Sequence, residues 1–200
     1  MKLFYLLIIL ISYTTVSPIS ACDETIKIDT VTYPVDSFWC GQKIDTTLLP
    51  NYEDLARISD SFSYKESKIY IRKEAASMFA VMARAALKDS IYFSAKSGYR
   101  SPGYQARMIK NRLMEGKTFE EVIRFVAPPG YSTHSVGNAV DIATDTYPFA
   151  ESKAYQWLKK NARTYGFIEV YPKGNETLKT WEPWHWEFFA DSVKLVDQKN

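Results

Sequence analysis

Histidine and cysteine are the scarce residues of this 200-residue chain, which carries two of each: His134 and His185, Cys22 and Cys40. The cysteines form no CxxC pair, so a thiolate metal site has no basis here, and neither has a neighbour suited to catalysis. No basic run occurs. The formal net charge is only +2, or +1 once Lys2 leaves with the leader described below, which gives no electrostatic case for nucleic acid. Internal repeats, low-complexity tracts and long Gly/Ser linkers are absent too, which leaves one domain from about residue 45 to 200.

What is present is ordinary for a folded protein: 46% hydrophobic and 24% charged residues, which argues against disorder. The N-terminus is the exception. "MKLFYLLIILISYTTVSPISAC" has a lysine, an apolar run from Leu3 to Ile11, then small residues, and reads as a signal peptide over 1–21. The run is too short for a comfortable membrane span. Export to the cell envelope follows, with residues 22–44 as an extended lead-in. Cys22 has two competing fates: "ISAC" at 19–22 resembles a lipobox, which makes Cys22 a lipid anchor, whereas an even cysteine count favours a Cys22–Cys40 disulfide in an exported chain.

Along the remainder, Ala75, Met78, Met82 and Ala85 recur at helical spacing within 72–88 and predict a buried helix. Residues 91–96 alternate as a strand. Ser101 and Pro102 open a helix that Gly116 stops, and Thr118 with Glu121 forms a capping box for a second short one. Residues 138–144 alternate again. A helix closed by Gly166 then leads to the strand-like "FIEVY" and to "PWHWEFF". Helices come early and strands late, without regular βαβ alternation. The pattern predicts an α+β fold: helices packed on a small, mainly antiparallel sheet.

A catalytic zinc ion takes three protein ligands, commonly histidine and carboxylate, and keeps a fourth position open. "STHSVGNAVD" offers His134 and Asp141 with Gly137 to turn the chain between them. On a strand, Asp141 shares its face with Ala139 and Ala143 while Val140 and Ile142 face the core. In "WEPWHWEFF", His185 and Glu187 share one face opposite Trp184, Trp186 and Phe188. His185 is the candidate third ligand. Glu182, across a bend at Pro183, stands close enough to serve as base towards a water whose pKa the metal lowers to about 7. Each piece also has a plainer reading. A histidine on an aromatic strand can be a satisfied core residue, and an aspartate after an apolar run a turn or cap residue; spacing alone leaves both open. Glu187 receives no role.

The motifs go further together. Ser132, His134, Gly137, Ala139 and Asp141 fit SxHxxGxAxD; Glu182 to His185 read EPWH; Ser97 to Ser101 with Tyr104 and Gln105 fit SGYRSxxYQ. With these blocks in chain order over about residues 90–190, the chain resembles the D-alanyl-D-alanine carboxypeptidase family that includes the vancomycin-resistance carboxypeptidases. Their zinc fold is shared with lysostaphin-type peptidases and the hedgehog domain. The resemblance implies one zinc ion on His134, Asp141 and His185, with Glu182 as general base and acid. It further implies that Arg100 holds a carboxylate or oxyanion, as its fork of donors suits, with Ser132 and Gln105 touching the peptide. The implied reaction is removal of the terminal D-alanine from a peptidoglycan stem peptide. An L,D-carboxypeptidase, an L-Ala-D-Glu endopeptidase, or a wall-binding module that keeps zinc without turnover are the alternatives. A monomer is the default, since no coiled coil or apolar patch reads from the sequence.

Overall fold

The computed structural model describes residues 22–144, 148–174 and 180–192; the expected signal segment 1–21 lies outside the described residues. Two antiparallel pairs come first. β1 (Thr25–Ile28) pairs with β2 (Val31–Pro34), and β3 (Leu55–Arg57) with β4 (Tyr70–Arg72). From β4 the chain passes directly into α1 (Lys73–Lys88). Then follow β5 (Ser94–Ser97), α2 (Pro102–Met114), α3 (Phe119–Ile123), β6 (Ala139–Ala143), α4 (Lys153–Asn161), β7 (Phe167–Glu169) and β8 (His185–Phe188). Strands β5, β6, β8 and β7 form, in that order, one antiparallel sheet. The α+β expectation holds.

The local signals act as their chemistry requires. The Ser101 hydroxyl accepts from the Tyr104 N–H (3.1 Å) with Pro102 at the start of α2. Thr118 and Glu121 close a reciprocal capping box on α3. Beyond α4 a 3-10 turn, Ala162–Tyr165, ends at Gly166 in the left-handed conformation (φ 84°).

Strand alternation sorts the sheet into two faces. Val140, Ile142, Trp186, Phe188 and Phe167 point towards α1 and α4 and join Phe79, Met82, Phe93, Trp157 and Leu158 in the main core. Phe79 packs edge-on against Phe93 and Phe167, with ring centroids 6.0 and 5.9 Å away. Asp141, His185 and Glu187 lie on the opposite face by the same period of two. Two expectations shift in detail. The buried stripe of α1 is Ala75, Phe79, Met82, Ala83 and Ala86, while Met78 and Ala85 are only partly buried. The helix turns towards the bulkier aromatic, which removes more area from water than a neighbouring alanine can. β5 begins at Ser94, later than the alternating residues suggest.

Residues 22–44 are not simply extended. Ile26, Ile28, Val35 and Trp39 pack with Ile109, Phe119, Val122, Ile123 and Tyr131 into a second apolar cluster on α2 and α3. Cys22 and Cys40 form a disulfide with their Cα atoms 5.7 Å apart. A lipid thioether would need the same Cys22 sulfur, so of the two fates the structure contains the disulfide.

Replacing Phe79 by alanine removes the ring at the centre of the main core and should cost about 3–5 kcal/mol. Val81→Ala, on the exposed side of α1, should stay within about 0.5 kcal/mol of wild type. Midpoints of urea unfolding measure both.

Candidate metal centre

Register brings the first two candidate ligands together. Asp141 on β6 stands directly opposite His185 on β8, and opposite Ser97 on β5. Asp141 Oδ1 lies 3.2 Å from His185 Nδ1. The third comes from a 3-10 turn, Thr133–Val136, which Gly137 ends at φ 84°. A side chain at Gly137 would suffer that left-handed backbone and stand 3.2 Å from both Arg72 and Leu55 carbons. Arg72 ties the turn down: its N–H donates to the Gly137 carbonyl (2.8 Å) and its Nε–H to that of Val136 (2.9 Å). His134 Nε2 thereby lies 3.4 Å from Asp141 Oδ1.

Both rings are oriented by a second bond. His134 Nδ1 donates to the Gly98 carbonyl at 2.7 Å, which leaves Nε2 as the donor atom; Nε2 is buried and has no hydrogen-bond partner. Gly98 can hold its carbonyl there because nothing larger fits. A Cβ would meet the Tyr70 carbonyl oxygen at 2.4 Å and Ile71 at 2.8 Å. His185 uses its other nitrogen, Nε2, on Glu187 Oε1 at 3.0 Å, leaving Nδ1 towards Asp141. Glu187, without a role from sequence, is therefore the carboxylate that fixes the ring of His185. Alternation placed it on this face, but only the imidazole's orientation shows which nitrogen it takes.

Charge follows geometry. Burial holds His134 neutral, pushing its pKa down to about 4 against the pull of Asp141. Burial acts on His185 in the same sense, but bonds to Asp141 and Glu187 outweigh it and push the pKa up to about 9. Burial raises the Asp141 carboxyl as well, yet His134 and His185 together hold it well below the usual carboxylate range. His185 thus lies between two carboxylates, Asp141 and Glu187, that both favour its protonated form.

The donor set fits a tetrahedral ion. Nitrogen and oxygen ligands at about 2.0–2.1 Å from such an ion stand roughly 3.3–3.4 Å apart, and the two measured separations from Asp141 Oδ1 are 3.4 and 3.2 Å. His134, Asp141 and His185 are one of two clusters of metal-ligating side chains among the described residues; the other, Cys22, Glu24 and Cys40, has both sulfurs tied in the disulfide.

A pocket opens over these donors and is also lined by Arg100, Ser132, Tyr171 and Glu182. Arg100 Nη2 lies 3.8 Å from Asp141 Oδ2. Burial lowers the guanidinium pKa, while Asp141 and Glu182 raise it. Glu182 reaches the pocket through a turn in which the His185 N–H donates to the Glu182 carbonyl (3.0 Å), with Pro183 at the first corner. The indole of Trp186 donates to the Pro183 carbonyl (3.0 Å) and locks the bend. Tyr171 sits with its ring 5.0 Å from that of His185; burial, Glu187 and Glu182 push its phenol pKa upward, so the hydroxyl keeps its proton.

Gln105 is the exception. It is buried away from the pocket, where its amide donates to the Ala127 carbonyl at 2.8 Å. It braces the loop leading to Ser132 as the fourth residue of α2, and it is not among the side chains that line the pocket. Sequence reasoning also missed Trp39, Phe125 and Tyr131, which line the pocket from distant segments.

Residues 68–191 match the family described as VanY, D-alanyl-D-alanine carboxypeptidase. The chain is 37% identical to YodJ of Bacillus subtilis (strain 168) over 163 residues, 75% of this chain and 59% of that protein. It spans between 42% and 59% of the length of three curated relatives it matches. Among solved structures, the LD-carboxypeptidase LdcB is 30% identical with a TM-score of 0.63, the match covering 82% of this chain and 83% of that one. A mutant of the vancomycin resistance D,D-pentapeptidase VanY, in complex with Zn(II), is 26% identical with a TM-score of 0.59, covering 73% and 82%. A carboxypeptidase family is the class that the fold and the sequence match define. The chain belongs to the VanY family of D-alanyl-D-alanine carboxypeptidases.

Glu187→Ala strips the acceptor from His185 Nε2 and should weaken zinc binding about 10- to 100-fold. Glu187→Gln keeps an oxygen acceptor and should stay within a few-fold of wild type, by the same reasoning. Competition against a chromophoric chelator measures both affinities.

Proposed function

We propose that this protein is a zinc carboxypeptidase that removes the terminal D-alanine from peptidoglycan stem peptides. The observation that carries the reading is the convergence of His134, Asp141 and His185 at ligand spacing beneath a pocket that also holds Glu182 and Arg100. His134 through Nε2, Asp141 through its carboxylate and His185 through Nδ1 would hold one zinc ion. When bound, zinc supplies Lewis acidity and a water of lowered pKa.

The chain's own groups do the rest. Glu182 accepts a proton from the attacking water and returns it to the amine of the departing D-alanine. Water's oxygen forms the new bond to the carbonyl carbon, and the C–N bond breaks. Arg100, charged and mostly enclosed, faces the substrate carboxylate or the developing oxyanion. Ser132 lines the approach of the peptide. Tyr171, held protonated, is a further donor over the same pocket.

The products are a stem peptide shortened by one residue and free D-alanine. A second reading is an L,D-carboxypeptidase, favoured by the likeness to LdcB, the neighbour with the higher TM-score of the two above. It uses the same groups and differs in which D-alanine is removed.

We take the working unit to be the mature chain after the 1–21 leader, acting outside the cytoplasm. The Cys22–Cys40 disulfide supports an oxidising compartment. No helix among the described residues is long and apolar enough to cross a membrane.

Incubation of the mature protein with a pentapeptide, a tetrapeptide and a cross-linked dimer, followed by mass spectrometry, tests the reaction. Loss of one alanine from the pentapeptide supports D,D activity, and loss from the tetrapeptide supports L,D activity. Absence of any product would reject the enzyme. Glu182→Gln should retain zinc but release D-alanine about 10²- to 10⁴-fold more slowly; turnover at the wild-type rate would remove Glu182 as the base.

A further inference from the structure

The family match begins at residue 68, yet part of the pocket wall comes from before it. Trp39, 3% exposed, lines the pocket alongside Arg100, His134, Asp141 and Glu182. The same residue also lines a neighbouring surface cleft with Asp36, Glu120, Arg124 and Thr180. Trp39 therefore stands as the partition between the candidate centre and the cleft beside it.

Its position is set by several independent ties. The Cys22–Cys40 disulfide ends one residue after Trp39 and closes the arm on itself. Glu24 accepts from the Gly41 N–H at 3.0 Å and from the Tyr131 hydroxyl. The Ile44 N–H donates to the Gly130 carbonyl at 2.8 Å. Tyr33 stacks on Phe119 with centroids 4.4 Å apart. These ties fasten the arm to the Ala127–Ser132 loop, whose Ala127, Tyr131 and Ser132 line the same pocket.

We propose that the disulfide-closed arm is part of the substrate cleft and that Trp39 is a specificity-determining contact for the peptide upstream of the scissile bond. This rests on the carboxypeptidase reading. The metal donors lie on β6, β8 and the Thr133–Val136 turn, none of which belongs to the apolar cluster that holds the arm. The arm therefore acts on binding of the longer peptide and leaves the metal untouched. A rigidly held aromatic edge suits this task, because the part of Trp39 that reaches the pocket is already fixed and costs little conformational entropy when a peptide meets it.

The test measures kcat and KM for release of D-alanine from L-Ala-γ-D-Glu-L-Lys-D-Ala-D-Ala and from the dipeptide D-Ala-D-Ala. Wild type, Trp39→Ala, Trp39→Phe and the double variant Cys22→Ser/Cys40→Ser are compared, with zinc per chain determined for each. Trp39→Ala should raise KM for the pentapeptide about tenfold with kcat within about twofold, while KM for the dipeptide stays put. Trp39→Phe should recover most of the loss. The double serine variant should move KM in the same direction as Trp39→Ala, and all four proteins should carry equal zinc. A pentapeptide KM within twofold of wild type in both Trp39→Ala and the double variant overturns the proposal, as does a fall in zinc or kcat without a change in KM. If wild type binds zinc but releases no D-alanine, the carboxypeptidase reading fails by itself. The arm is then judged by calorimetric binding of the same pentapeptide: about tenfold weaker binding to Trp39→Ala upholds it, and equal affinity, or no binding to wild type, overturns it.

Discussion

The site depends on a single pairing in the sheet: Asp141 opposite His185 across the β6–β8 ladder. Side chains on a strand alternate, so a slip of either strand by one residue would send its own group into the core and bring Val140 or Trp186 out. That core is the guard against slippage. Val140, Ile142, Trp186 and Phe188 are buried on the far face, and turning any of them outward would expose apolar surface at about 25 cal/mol per Å². Burial on one face thus fixes the register that the chemistry uses on the other. His134 has no strand to hold it, and its place is set by Gly98, Gly137 and Arg72 instead.

The electrostatics of the centre follow from this crowding. Asp141, His134, His185 and Glu187 are largely withdrawn from water, where a lone charge would cost several kcal/mol. The cost is offset in part because His185 lies between two carboxylates whose hydrogen bonds favour its protonated form. A divalent ion held by Nδ1 would put a larger positive charge in that place facing Asp141, and Glu187 would keep its hold on the Nε2–H. The two carboxylates are therefore not interchangeable: Asp141 faces the site for the ion, and Glu187 faces away from it.

Much of this was legible in the sequence because it is carried by local period and local chemistry. The capping signals of α2 and α3, the face of Asp141 and the bend at Pro183 all depend on neighbours within a few residues. What escaped depends on contacts between distant segments. Gln105 belongs to a motif shared with the family, yet its amide is spent on Ala127, 22 residues away. Periodicity in α1 favoured Met78, whereas tertiary packing turned the helix to bury Phe79 between Phe93 and Phe167. Glu187 was on the right face, but a strand pattern does not tell which imidazole nitrogen a carboxylate will take. Trp39 lies outside every motif, and the disulfide and hairpin that carry it to the pocket are long-range features.

The pocket sits where the two apolar clusters meet, and they divide its lining. Strand and turn residues packed on the main core supply the metal donors, whereas Trp39, Ala127 and Tyr131 come from the second cluster. Donors need placement to within a few tenths of an ångström, which strands backed by a dense core can give. A wall that selects peptides has a looser tolerance and can be built from loops and an arm. Those loops would be mobile on a surface of this kind without further ties. Here the disulfide, the Glu24 clamp and the stacked Tyr33–Phe119 pair supply them. In the proposed cleft the arm would reduce the entropy that a peptide otherwise has to remove from the wall on binding. The same division explains why residues with recognisable motifs cluster in the donor half: metal geometry admits few residue types, whereas a peptide-facing wall admits many.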